Sequence, residues 1–261
     1  MAGHSATEGG AAQICESRHT APTESDSADP PRTSWLLLHG TPLTAAVWDD
    51  VRPMLSAHGD VFAPNITPPN SPENELQARL AASLSEKRLS GLPALHVVGH
   101  SFGGQVALEL ALLRPDLVSR LTLLCTRDTP FPAFAATADA VAAGAVDVDS
   151  SLQRWFGPDE INRNGHAVRY ARRALGDAPR ASWASALRAI ATFDCSDRTP
   201  SISCPVTVIA AEHDAVSDVV AMEAMHRRLA RSTFVVLPHA WHMSIFCEPG
   251  RLHALLQNRS A

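Results

Sequence analysis

Gly99-His100-Ser101-Phe102-Gly103 has the form G-x-S-x-G and lies where an apolar run meets a helical pattern. A serine on a sharp strand-to-helix turn has a strained backbone and needs small neighbours. Gly99 and Gly103 supply that room, and Gly104 extends it. Such a turn lifts the Ser101 hydroxyl above a sheet. It also aims a helix N-terminus at the site, which favours developing negative charge. The same letters without chemistry are a plain glycine-rich turn, so the partners decide.

A serine hydroxyl is a weak nucleophile at neutral pH. It needs a base, and the base needs an orienting group. Asp214 closes CPVTVIAAEHD, and His242 follows STFVVLPHAW. Ser101, Asp214 and His242 therefore stand in an order known for strand-borne triads. Glu212, Asp218 and Asp128 are rival acids; Asp128 follows an earlier strand from which a carboxylate can also reach the histidine. His239 is the rival base. His239 and His242, with His213 nearby, also allow a zinc reading, but no carboxylate-containing zinc motif accompanies them. No metal and no cofactor are expected. An oxyanion hole needs two backbone N–H donors. Phe102, after the nucleophile, is one. Thr41 is the other, because Gly40 permits a tight turn and Pro42 has no N–H. His39 is read as a loop brace, in preference to a second base.

These residues must be held by strands and helices. WLLLHG (35–40) is a short apolar run ending in glycine, the form of a buried parallel strand. Further candidate strands are 60–66, 93–100, 120–126, 204–214 and 232–239. Helical patterns occupy 73–89, 103–114, 219–230 and 249–259. This alternation predicts an α/β fold, a mostly parallel sheet flanked by helices. The core is expected over 34–126 and 195–261. The stretch 127–194 lacks a good strand and is rich in alanine, so a helical cap inserted after the fourth core strand is expected there. Phe131, Phe134, Trp155, Phe156 and Met243 are candidate pocket walls for a moderately apolar substrate. Arg127 and Arg154 are either partners for a substrate carboxylate or surface arginines.

Residues 1–33 have only Met1 and Ile14 as large aliphatic or aromatic residues. They read as a largely disordered segment, with a weak alternation at 12–19 that fits an edge strand equally well. The 261 residues carry 22 Lys+Arg against 27 Asp+Glu, so no basic surface for nucleic acid is expected. No apolar run approaches a membrane span, and the start lacks the form of a secretory signal. The five scattered cysteines contain no C-x-x-C pair, which fits reduced thiols in the cytoplasm. The expected partner is a small-molecule substrate, with a homodimer left open.

Together these pieces resemble the α/β-hydrolase fold from about Trp35 to the C-terminus. The resemblance rests on WLLLHG with Trp48 nine residues after His39, GHSFGG, the AEHD segment and HAWHMSIFCEP. SLQRWFGPDE (151–160) and TFDCSDRTPSISCPVTVIAAEHD are similar to the 3-oxoadipate enol-lactonase group and related serine esterases. The resemblance implies an acyl-serine mechanism without a cofactor, acting on a carboxylic ester or lactone. The same phrasing occurs in C–C bond hydrolases, and acyl transfer or a ligand receptor on this scaffold are the alternatives. Haloalkane dehalogenases and epoxide hydrolases need an aspartate where Ser101 stands. One departure is Asn65-Ile66-Thr67-Pro68-Pro69-Asn70-Ser71, a glycine-free and therefore stiffer loop after the second strand.

Overall fold

The computed structural model describes residues 34–68, 75–89 and 95–257. The disordered or edge-strand reading of residues 1–33 lies outside the described residues, as does the loop from Pro69 to Ser71.

Among the described residues, six strands form one all-parallel sheet. They are β1 (Ser34–Leu38), β2 (Val61–Phe62), β3 (Leu95–His100), β4 (Val118–Leu124), β5 (Val206–Ala211) and β6 (Ser232–Leu237), ordered β2-β1-β3-β4-β5-β6. β1 and β3 are buried along their whole length because both sheet faces are covered. That is why they read as continuous apolar runs without alternation. Two apolar clusters fill the two faces: Leu37, Val98 and Ile209 point into one, and Leu36, Val97 and Val208 into the other.

Helices α1 (Arg52–Ser56), α2 (Leu76–Arg88), α3 (Phe102–Leu113), α9 (Val219–Arg228) and α10 (Pro249–Gln257) connect and cover the strands. Between β4 and β5 the chain leaves the sheet for a helical cap. The cap consists of α4 (Phe134–Ala142), α5 (Val148–Trp155), α6 (Pro158–Arg163), α7 (His166–Asp177) and α8 (Arg180–Thr192). The strand expected over 60–66 is confined to Val61–Phe62. Beyond it Pro64 has no N–H for a ladder. Asn65 and Ile66 turn instead to side-chain partners: Asn65 Oδ1 accepts from Ala45 N–H at 2.7 Å, and Ile66 N–H donates to His39 Nε2 at 3.0 Å.

β3 occupies the middle of the sheet between β1 and β4. Its C-terminal end therefore opens beside the ends of β1 and β4, with β5 and β6 next in line. This is the edge at which ligands bind in open parallel sheets.

Candidate active site

Ser101 sits between β3 and α3 with φ 52° and ψ −121°, a backbone conformation that L-residues rarely adopt. The surroundings hold it there. Its N–H donates to Leu124 O at 3.0 Å, and its C=O accepts from Gly104 N–H at 2.8 Å and Thr126 Oγ1 at 2.7 Å. The turn is also too tight for side chains on either flank. A Cβ on Gly99 would lie 2.6 Å from Gly103 O, and one on Gly103 would strike the Leu38 carbonyl. Phe102 opens α3, so its N–H belongs to the first turn, where backbone donors lack intrahelical partners.

Asp214 follows β5 and is buried, as is His242 beyond β6. His242 Nδ1 lies 2.7 Å from Asp214 Oδ2. The other carboxylate oxygen accepts from Val216 N–H at 2.8 Å and Ser217 N–H at 3.2 Å. Burial works to raise the Asp214 carboxyl, but the charge and hydrogen bond of His242 and the two N–H groups together hold it below its usual value. An ionised carboxylate only accepts, so His242 Nδ1 carries a proton toward Asp214 and Nε2 is the ring nitrogen left free of that contact. His242 and Ser101 line the same cavity, of about 540 Å³.

His100 is buried with Nε2 at 3.0 Å from His242 O, so it donates to that carbonyl and braces the backbone of His242. Burial, reinforced by repulsion from His242, lowers it to about 3. Its Nδ1 has no partner, which an unprotonated ring nitrogen tolerates. His39 braces a loop, as its position suggests. Its Nδ1–H donates to Gly40 O at 2.8 Å while Nε2 accepts from Ile66 N–H. Burial outweighs the Gly40 bond and lowers it to about 4.

Thr41 joins Ser101 and His242 on the cavity wall, and so do Phe131, Phe134 and Trp155 from the cap. Phe156 and Met243 do not. Both are wholly buried and pack into the apolar cluster instead. Phe156 is the residue after α5, with extended backbone, so it turns away from the face that Trp155 presents. Met243 N–H donates to Trp155 O at 2.8 Å, and its side chain belongs to the buried apolar cluster. Sequence reasoning missed Trp183, Leu187 and Ile190, which supply a wall from α8. Their i, i+4, i+7 spacing was visible, but such a stripe ordinarily means packing.

The rival residues have other partners. Asp128 is buried against Arg228, whose Nε donates at 2.9 Å, and it accepts from Thr199 Oγ1 at 3.0 Å. Asp218 caps α9. Glu212 and His239 are exposed on the loops beside the site. Arg127 donates to Val216 O at 3.2 Å and lies over the Phe131 ring, whereas Arg154 reaches the cavity rim. Burial pushes the Cys125 thiol well up, Cys195 to about 12, Cys204 to about 11 and Cys247 to about 12, so none of the four is a ready thiolate nucleophile.

A model of the alpha/beta hydrolase family matches residues 35–253. The chain belongs to that family. Its relatives are hydrolases. One is the (E)-2-((N-methylformamido)methylene)succinate hydrolase of Acinetobacter baylyi, 24% identical over 85% of this chain and 88% of that protein. Another, 3-oxoadipate enol-lactonase 1 of the same organism, is 31% identical over 64% of this chain and 66% of its own length. Among solved structures, a thermophilic esterase from Thermogutta terrifontis superposes with a TM-score of 0.75 at 26% identity. That match covers 86% of this chain and 88% of the esterase. The alpha/beta hydrolase fold expected from the motifs is thus present, and the chain is an enzyme of the hydrolase class. No described helix is long and apolar enough to cross a membrane.

Proposed function

We propose that this hydrolase cleaves a small carboxylic ester or lactone through an acyl-serine intermediate. One observation carries the reading. The buried His242–Asp214 pair, 2.7 Å apart, faces a cavity that His242 shares with Ser101. In the proposed cycle His242 Nε2 takes the Ser101 hydroxyl proton as Oγ attacks the carbonyl carbon. The C–O bond then breaks, and the proton passes to the leaving oxygen. Water attacks the acyl carbon next, gives a proton to His242 and frees the acid and Ser101. Asp214 holds the ring and balances its transient charge. Phe102 and Thr41 N–H groups hold the oxyanion, where one donor is worth about 2.7–4 kcal/mol. The aromatic and aliphatic walls suit an apolar acyl or ring portion. Relatives named for an enol-lactone and a succinate derivative make lactones and carboxylated esters the first compounds to try, with Arg154 as the cation at the rim. A cytoplasmic setting is part of this reading, because the described Cys125, Cys195, Cys204 and Cys247 are free thiols.

Intact-protein mass after exposure to a fluorophosphonate tests the mechanism without knowledge of the substrate. Wild type should gain one adduct, and folded Ser101→Ala protein none. A folded wild type that takes no label, or a labelled Ser101→Ala protein, would reject the assignment. Hydrolysis of an ester and lactone panel then tests the substrate class.

A further inference from the structure

We infer that Glu212, His213 and His239 form a surface binding site for a late first-row divalent cation, with Zn²⁺ the best match. The sheet brings them together. β5 and β6 are neighbours, with Ala211 opposite Leu237, so the residues just beyond both strand ends emerge side by side. Backbone bonds lace the two exits. Glu212 N–H donates to Leu237 O at 3.1 Å and His213 N–H to Ala240 O at 2.8 Å. Glu212 Oε2 accepts the His239 N–H at 2.6 Å. His239 itself has φ 54°, a left-handed conformation that a non-glycine residue keeps only where its surroundings enforce it.

This frame leaves three ligand-type atoms converging outside the catalytic pair. His239 Nδ1 is 3.8 Å from Glu212 Oε2, and His213 Nε2 is 3.9 Å from the same oxygen. One ligand atom from each residue lies within 4.8 Å of the others. The Trp241 ring, 4.6 Å from the His213 ring, supports it from one side. A tetrahedral zinc site spaces its N and O ligands about 3.3 Å apart, so the two contacts to Glu212 must close by about 0.5–0.6 Å and the two imidazoles by up to about 1.5 Å. The side chains of Glu212, His213 and His239 are 43%, 42% and 89% exposed, which leaves them free to make that adjustment. Two imidazoles with one carboxylate favour zinc, copper or nickel over magnesium or calcium, which take all-oxygen sites. Three protein ligands leave a position for water. This set differs from the zinc grouping first suggested by the sequence, because His242 Nδ1 is taken by Asp214.

A cation here would tie the loop that carries Asp214 to the loop that carries His242. It would bind the folded chain alone and so raise its melting temperature. Calorimetric titration of the chelator-treated full chain with zinc chloride, paired with thermal melts, tests the site. Wild type should bind one equivalent with micromolar affinity and melt at higher temperature when loaded. His239→Ala and Glu212→Gln should each weaken binding by at least about tenfold and lose the melting shift. Fluorophosphonate labelling of the same variants should match wild type and so report an intact fold and catalytic pair. Unchanged affinity in both variants would overturn the site, by placing the metal elsewhere, for instance at the buried Cys125, Asp214 and His242 group. Absence of binding to wild type at millimolar zinc would overturn it as well.

Discussion

Asp128 and Asp214 are both buried aspartates near the ends of neighbouring strands, and their partners separate their roles. Asp128 faces Arg228, a residue 100 positions later, and ties the start of the cap connection to the end of α9. Asp214 faces His242. Chain order favoured Asp214 over Asp128, and the pairings themselves are long-range contacts that spacing does not encode. Asp214→Asn keeps the shape but removes the charge that selects the Nδ1–H tautomer, so turnover should fall about 10⁴-fold in a protein that still folds. Asp128→Asn leaves the His242 contact intact but strands a guanidinium. Arg228 is 29% exposed, so the cost should sit near the low end for a broken buried pair, about 3 kcal/mol. Parallel kinetics and urea titrations on the two variants check this. A dead but stable Asp128→Asn protein, with an active Asp214→Asn protein, would reverse the assignment.

The strands and core helices were legible because each carries a strong local signal: an apolar run closed by glycine, or a helix opening after it. The turn at Ser101 is the clearest case, since Gly99 and Gly103 are demanded by backbone contact. The cap was legible only as a helical stretch. Which face each cap helix turns to the cavity depends on packing between elements, and so Trp155 lines the cavity while its neighbour Phe156 packs into the apolar cluster. The same packing ties the cap to the turn that carries His242. Glu160 Oε2 accepts from Gly157 N–H at 2.8 Å and from Ser244 Oγ at 2.7 Å. Ser244 Oγ in turn accepts from Trp241 N–H at 2.8 Å, so α6 grips the turn that carries His242. A misplacement of the order of 1 Å at a catalytic group is enough to cost about 10²-fold. Glu160→Ala should therefore lower kcat by about 10–100-fold while KM for a small ester changes little. An unchanged kcat would show that the turn holds His242 without the cap.

Over the whole molecule, three buried neutral histidines set how the fold responds to acid. His39 is lowered to about 4 by burial against the Gly40 bond. His96 is lowered to about 3 by burial and by repulsion from Arg120, and it stacks on Trp35 while Nε2 meets Thr122 Oγ1 at 2.8 Å. His100, at about 3, is the third. In the unfolded chain each takes up a proton near its ordinary value of 6.5. Below that pH the unfolded state binds protons that the native state refuses, so stability falls as pH drops. The loss begins near pH 6.5 and continues to the folded values of about 4 and about 3. At pH 5.5 it amounts to roughly 1.4 kcal/mol for each ring, or about 4 kcal/mol for the three. The Asp214 carboxylate has the opposite window. Held below its usual value, it stabilises the fold above the unfolded carboxylate pKa of about 4 and loses that contribution only at lower pH. A decline between pH 6.5 and 5 thus belongs to these buried histidines and not to the Asp214 carboxylate. Urea titrations at pH 7.5 and 5.5 should show it. His96→Gln, far from Ser101, should remove about a third of the decline without altering fluorophosphonate labelling. Equal stability at the two pH values would mean that these rings are protonated in the native protein, and the buried, neutral network around His39 and His100 would have to be redrawn.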